Sequence, residues 1–444
     1  MKWLKSFEGD FESRWRKVLE RRTSSFEEVE VEVREIVKKV RDGGDGALVE
    51  LTKCLDGLDL KPEEIELPKE GWQRASHVIG QDLKEALLRA KEEIEDFCRR
   101  ALPRDWMDVK GGMVRGEIFK AVERVGVYVP GGKALYPSSV LMGVIPAVVA
   151  GVKEVIVVTP PPVSPVILYA CEIAGATRLF QVGGAQAIAA LALGTERIPR
   201  VDVIVGPGNR YVTAAKKILY GQVGIDILAG PSELLVLSDG STSPWKAALD
   251  LLSQAEHDQD AWAVLVTPDE GYAREVEGSL YRLASQALRR DIVEKSLEKN
   301  GLIVLCRDLE EAFRLSNEFA PEHLELHLRE PWEWLGEVKN AGSVFVGEDT
   351  PVVLGDYCAG PNHILPTGGS ARFSSPLGVL NFMKRIQFLS VTAEALKGLC
   401  PVGARIAEEE GLEGHILALR GRMKDGEEGS DQPEDQGDRG SGQP

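Results

Sequence analysis

Residues 154–221, EVIVVTPPPVSPVILYACEIAGATRLFQVGGAQAIAALALGTERIPRVDVIVGPGNRYVTAAKKILYG, decide the fold. EVIVVTPPP, RLFQVGG and VDVIVGPG are short β-branched or aromatic runs closed by Pro or Gly, and each reads as a buried strand. SPVILYACEIAGA, AQAIAALALG and NRYVTAAKKILYG, which follow them, are longer and read as helices. Strand and helix in regular alternation need crossover connections, which pair the strands in parallel and cover both sheet faces with helices. Right-handed crossovers then gather the strand-to-helix loops at one edge.

The pattern extends in both directions. Upstream, VERVGVYVP is a strand ending at Pro130-Gly131-Gly132, and Ser138 or Ser139 caps the small-residue helix VLMGVIPAVVAG. Downstream of IDILAGPSELLVLSD, PWKAALDLLSQAEHD reads as a helix, and AWAVLVTP, GLIVLC and GSVFVG read as strands of a second α/β unit. The first hundred residues read as helical and complete that unit. Ser24 or Ser25 caps SFEEVEVEVREIVKKVRDGG, which stops at Gly43 or Gly44, and ASHVIGQDLKEALLRAKEEIEDFCRRAL is a second amphipathic helix. From Pro376 to about Lys424 the pattern is mainly helical, and the Gly-, Asp-, Glu-, Gln- and Pro-rich end is expected to be disordered.

Composition narrows the class. At 444 residues, 43% hydrophobic and 28% charged, the chain reads as a soluble enzyme with two to four domains. A net charge of -17 repels the phosphate backbone, which sets nucleic acid aside as a general partner. No apolar run reaches the roughly 18 residues of a membrane span, and MKWLKSFEGDFESRW lacks the apolar centre of a secretion signal. Cys54, Cys98, Cys171, Cys306, Cys358 and Cys400 are scattered, with no C-x-x-C pair, as suits reduced thiols in a cytoplasm.

Three strand-end loops are glycine-rich: YVPGG, QVGGAQA and VGPGNRY. Glycine lets a backbone approach a phosphate, and a helix N-terminus offers free N–H groups there. Gly206-x-Gly208 is a partial dinucleotide fingerprint, with Tyr211 where a third glycine belongs. Any one loop equally suits a tight turn; three on one sheet edge point to a ligand crevice.

The six histidines supply a second constellation. Gln254 and His257 stand three apart, a spacing that suits two ligands of one metal or, equally, a cap or surface pair. Glu322 and His323 adjoin ahead of LELHL; in a loop both can reach one substrate, one as general base and one activating water. His327 reads as a solvated strand residue. GDYCAGPNHILPTGG sets Asp356, Asn362 and His363 in a glycine- and proline-bounded loop, a binding loop or a self-satisfied turn. Cys358 within it reads as a small buried residue without a nearby base. Glu410 precedes His415 by five residues, and His415 by itself reads as a surface histidine.

Taken together, RVGVYVPGG, VGGAQAIAALALGTE, VGPGN, AGPSE, DLLSQAEHD, PEHLE, AGSVF, GDY-x-x-G-x-NH-x-LPT and the closing E-x-x-x-x-H resemble histidinol dehydrogenase, in that family's order, over roughly residues 20 to 420. The resemblance implies a homodimeric enzyme that oxidises L-histidinol through L-histidinaldehyde to L-histidine in two NAD-dependent steps, the last of histidine biosynthesis. It implies one zinc ion per subunit on Gln254, His257, Asp356 and His415, with Glu322 and His323 as the catalytic pair. Tyr128, Gln186 and Asn209 are then expected at NAD. Ser232, His363 and Glu410 join His323 and the metal ligands around the substrate. His415 and Glu410 are expected to enter the neighbouring subunit's site. No cysteine is expected to be catalytic, since the thiols lie outside the shared motifs or in a variable slot.

The fold implied is α/β: two doubly wound, Rossmann-like parallel-sheet domains with small helical additions at both ends. The bounds expected are a helical extension at 1–22, a first domain of 23–124 plus 234–375 with the metal and catalytic residues, and a second at 125–233 with the NAD loops. A helical segment at 376–424 reaches the partner, and a disordered acidic tail occupies 425–444. Two rival readings of the same residues are a zinc hydrolase, against which the nucleotide-like loops argue, and a non-catalytic binding protein on the same fold.

Overall fold

The computed structural model describes residues 1–22, 27–131 and 135–428. The chain divides into two compact units, Met1–Leu102 with Ala121–Met383, and Pro103–Lys120 with Lys384–Pro444. Among the described residues no helix is long and apolar enough to cross a membrane.

The first unit holds both parallel sheets. One runs, in spatial order, Arg178–Phe180, Glu154–Val158, Arg124–Tyr128, Val203–Val205 and Gly224–Ile225. By chain position that is three-two-one-four-five, the doubly wound order, and it opens a crevice where the winding reverses, beyond Tyr128 and Val205. Val125, Val127, Val155 and Val157 pack into one core with the helices Pro137–Ala150 and Pro165–Ala174. Tyr128, Ile156, Val158 and Ile204 pack into another with the helices Gly184–Leu193 and Arg210–Leu219. Burial on both faces is why these strands carry unbroken apolar runs instead of alternation.

The other sheet runs Lys2–Lys5, Leu302–Leu305, Trp262–Thr267, Glu233–Ser238, His323–His327 and Ser343–Val346, all parallel. Its last five strands repeat the three-two-one-four-five order. Leu235, Leu237, Val264 and Leu324 face one core; Leu234, Val236, Ala263 and Leu265 face the other. The α/β fold with doubly wound parallel sheets is as the sequence implies.

Several local expectations change. Lys2–Lys5, read as part of a helical extension, is an edge strand in register with Leu302–Leu305; four residues are too few to display a period, and buried Leu4 anchors them. The helix Glu27–Asp56 does not stop at Gly43 or Gly44 but bends there, Gly44 taking φ 50° and ψ −134°. The Glu196 carboxylate accepts the Asp45 N–H at this bend (2.7 Å), which stabilises a kink in place of an end. The helix Pro137–Ala150 begins after Tyr136 without a side-chain cap, so Ser139 lies inside its first turn. The helix Gln81–Arg100 starts after Gly80, later than the periodicity suggested. Ser24, Ser25 and Gly132 lie outside the described residues.

In the second unit, Trp106–Lys110 pairs antiparallel with Met113–Ala121, and Met383–Val391 completes a three-stranded sheet. Met383–Val391 corrects the mainly helical reading of 376–424: MKRIQFLSV alternates weakly, and its polar positions are exposed along a half-solvated strand. The helices Ala393–Glu409 and Glu413–Glu428 follow. The second continues into the stretch read as a disordered tail; residues 429–444 lie outside the described part.

Candidate active site

The backbone of one residue organises the candidate catalytic pair. Glu233 opens the strand Glu233–Ser238, and His323 opens the neighbouring strand His323–His327 in register with Leu234. The Glu233 N–H donates to Glu322 Oε2 (2.7 Å), and the Glu233 carbonyl accepts from His323 Nδ1 (3.1 Å). Holding Nδ1 as the donor leaves Nε2 as the nitrogen that gains or loses a proton, 3.6 Å from Asp356 Oδ1. Both side chains are buried. Burial pushes the Glu322 carboxyl above its usual range, outweighing the pull of His323 and the Glu233 N–H. Burial acts downward on His323, but the carboxylates of Glu322 and Asp356 and the Glu233 carbonyl raise it overall.

The side chain of Glu233 is itself clamped. Arg22 donates from Nε (2.9 Å) and a terminal nitrogen to the two Glu233 oxygens, in an ion pair with 2% and 1% of its side chains exposed. The same guanidinium donates to the Phe319 carbonyl, and the Gly368 N–H reaches Glu233 Oε1 (3.2 Å). The sequence reading missed both Arg22 and Glu233. Partners 211 residues apart leave no periodic signal, although Glu233 closes the AGPSE motif.

The other first-unit candidates approach this pair. Gln254 lies in the last turn of the helix Pro244–Ala255, is 1% exposed, and its amide nitrogen has no hydrogen-bond partner. His257 falls just past the helix end and not on its face; its N–H donates to the Gln254 carbonyl (3.3 Å) and its surface is exposed. Asp356 sits near the end of the helix Val352–Tyr357. Burial raises its carboxyl, but His323, His363 and His257 together hold it below the usual range. His363 Nδ1 donates to the Asp356 carbonyl (2.8 Å), and its Nε2 meets Ser139 Oγ at 3.3 Å, a partner the sequence had read as a helix cap. Asn362 turns inward, donating to the Met142 carbonyl (2.8 Å) and accepting the Ile364 N–H (2.9 Å). Ser232 precedes Glu233 and accepts the Trp262 N–H on its carbonyl (2.9 Å). Glu410 and His415 belong to the second unit, exposed on either side of the turn between its two helices.

The glycine-rich loops stand at the carboxyl ends of the five-stranded sheet. Buried Tyr128 accepts the Gly184 N–H on its hydroxyl (3.2 Å), and burial pushes that phenol up to about 12. Gln186 is 1% exposed and its Oε1 lacks a partner. Asn209 caps the helix Arg210–Leu219, its Oδ1 accepting from Tyr211 and Val212 (3.0 and 3.1 Å). Gly206 has φ +113°, and a Cβ there would lie 2.1 Å from the Tyr128 carbonyl, so only glycine fits. A buried Lys216–Asp226 pair locks the same turn: Lys216 donates to the Gly206 carbonyl (2.5 Å) and Asp226 accepts the Gly206 N–H (2.7 Å).

The sequence profile of the histidinol dehydrogenase family matches residues 19–423. The chain belongs to the histidinol dehydrogenase family. It is 50% identical over 399 residues to the histidinol dehydrogenase of Aquifex aeolicus, covering 90% of this chain and 93% of that protein. The corresponding figures for the Nitrosomonas europaea histidinol dehydrogenase are 47% over 426 residues, 95% and 99%. The crystal structure of histidinol dehydrogenase from Elizabethkingia anophelis superposes with a TM-score of 0.91 at 33% identity, covering 96% of this chain and 99% of that one.

Membership of the histidinol dehydrogenase family makes the chain a dehydrogenase and removes the hydrolase and inactive-binder readings. Two more residues of this histidinol dehydrogenase family member differ from their sequence reading. His327 is fully buried, not solvated, because helices cover both faces of its strand. Cys358 is half-buried, not buried, in its loop.

The Arg22 clamp predicts a large effect from a residue no motif singled out. Arg22→Met leaves a buried carboxylate without its cation, a loss that costs about 3–5 kcal/mol where a buried pair is broken. Denaturant unfolding should show that loss. Of the steady-state constants, kcat should fall as the Glu233 backbone loosens. Unchanged stability would mean that water or another cation already serves Glu233.

Proposed function

We propose that the chain oxidises L-histidinol to L-histidine in two NAD-linked steps through L-histidinaldehyde, the last step of histidine biosynthesis, as a cytoplasmic homodimer with one zinc per subunit. The observation that carries this reading is the backbone of Glu233, whose N–H and carbonyl hold a buried carboxyl and a buried imidazole side by side, within reach of Asp356.

The residues suit both absent groups. Gln254, buried with its amide nitrogen unpartnered, offers an amide oxygen, and His257 and Asp356, close enough to interact electrostatically, offer an imidazole nitrogen and a carboxylate, donors of the kind zinc takes. Gln254, His257, Asp356 and His415 would hold the metal, and the unpartnered Gln186 with Tyr128 and Asn209 would face the dinucleotide. Bound zinc supplies a charged anchor for the substrate's nitrogens through both steps, and bound NAD takes up hydride.

The chain's own residues do the proton work. His323 receives the hydroxyl proton at Nε2, since Nδ1 is committed to the Glu233 carbonyl. Glu322, made more basic by burial, draws a proton from the water that adds to the aldehyde. Ser232, His363 and Glu410 line the substrate, and Ser139 fixes the ring of His363.

The test is NADH formed per histidinol consumed, with and without a chelator. About two NADH are expected, falling to none on chelation and returning with Zn²⁺, while far-ultraviolet circular dichroism stays the same because the large cores need no metal. Activity after verified removal of all metal would sink the zinc assignment; a yield of one NADH would sink the second oxidation.

A further inference from the structure

We propose that Thr213 and Thr367 are positioning residues for hydride transfer, which pin one peptide between the nucleotide loops and the catalytic pair. Residues 226–232 carry the chain from one sheet to the other. They run from Gly224–Ile225, the last strand of the five-stranded sheet, to Glu233–Ser238, whose first residue holds Glu322 and His323. The peptide joining Ala229 to Gly230 lies within that crossing. Thr213 Oγ1 donates to its carbonyl (3.3 Å), and Thr367 Oγ1 accepts its N–H (2.6 Å). The carbonyl and N–H of a trans peptide point opposite ways, so the two threonines grip it from opposite sides. Both side chains are buried.

Each threonine comes from an element with its own task. Thr213 lies on the helix Arg210–Leu219, four residues past the cap Asn209, which is assigned to the dinucleotide, and three before Lys216. That spacing puts the three on one helix face. Lys216 holds the start of the same crossing through Asp226 (2.7 Å), so the nucleotide helix grips residues 226–232 at two points. Thr367 is followed by Gly368, whose N–H reaches Glu233 Oε1 (3.2 Å). Adjacent residues of one loop therefore hold both ends of the stretch Gly230–Glu233. Between those ends the ring of Pro231 fixes φ and removes slack. A shift of the pinned peptide passes to Ser232 and to the Glu233 N–H and carbonyl, and with them to Glu322 and His323. Misplacing reacting groups by about 1 Å can cost about a hundredfold in rate.

The test is the single-turnover rate constant for the first NADH, with zinc-loaded enzyme at saturating histidinol and NAD. Loss of folded protein lowers the amplitude and leaves that rate constant alone. Thr213→Val and Thr367→Val keep the side-chain shape and remove the hydroxyl. Each should slow the first NADH about tenfold, the scale of one buried hydrogen bond broken on one side. Thr213→Ser and Thr367→Ser keep the hydroxyl and should keep the rate. The double valine variant should lose much less than the product of the single losses, because both act on one peptide. Wild-type rate constants in the valine variants, serine variants as slow as the valine ones, or losses that multiply in full overturn the proposal. Should one valine variant not fold, the other decides against its serine counterpart. Since the proposal rests on the reading of Glu322 and His323 as the proton-transfer pair, His323→Asn is measured alongside. A slow His323→Asn with normal valine variants removes the pinning and spares the pair. Slow valine variants with a normal His323→Asn uphold the pinning and remove His323 from the chemistry.

Discussion

Subunits carrying His257→Asn and subunits carrying His415→Asn, each inactive alone, should regain roughly a quarter of wild-type activity when mixed and allowed to exchange. The expectation follows from symmetry if each site takes His257 from one chain and His415 from the other. A mixed two-fold dimer then has one site with both lesions and one with none. Random exchange makes half the dimers mixed, and half of the sites in those are intact. His415 and Glu410 flank an exposed turn between the helices Ala393–Glu409 and Glu413–Glu428, in a different compact unit from Gln254, His257 and Asp356. A mixture that stays inactive, with exchange verified by mass-tagged subunits, refutes the shared site and removes the case for Glu410 at the substrate.

The catalytic pair should separate the two oxidations. Glu322 is assigned to hydration of the aldehyde alone, and His323 to proton transfer in both steps. Glu322→Gln should therefore release about one NADH per histidinol and then stall, while His323→Asn slows both steps by about 10²–10⁴-fold, the usual cost of a lost general base. Because the Glu233 N–H bonds to Glu322 Oε2, the glutamine variant keeps an oxygen acceptor and its position. Normal turnover to histidine by Glu322→Gln, followed by single-turnover absorbance of NADH, would remove that residue from the mechanism.

Much of this was legible along the chain. Apolar runs too short for helices, separated by helical stretches and glycine turns, specify parallel strands with crossovers. The glycine loops fall at the carboxyl ends of the five-stranded sheet, where that topology puts them. The first strand escaped notice because four residues show no period, and Met383–Val391 because its alternation is weak. His327 was misjudged because alternation distinguishes two faces of a strand but not a covered face from a wet one; the helix Pro244–Ala255 covers this one.

What the sequence by itself determined is therefore the α/β class, the winding and the residue types able to do acid–base and metal chemistry. These depend on local backbone preference and on spacing within a dozen residues. Only the tertiary structure decided that Glu322 and His323 share the backbone of Glu233, where the strands Glu233–Ser238 and His323–His327 begin. It alone decided that Arg22 clamps that residue from the other end of the chain, and that Thr213 and Thr367 meet at one peptide. Ion pairs and hydrogen bonds act over a few ångströms of space, between residues that folding brings together from any separation in sequence. Local periodicity carries no record of those meetings.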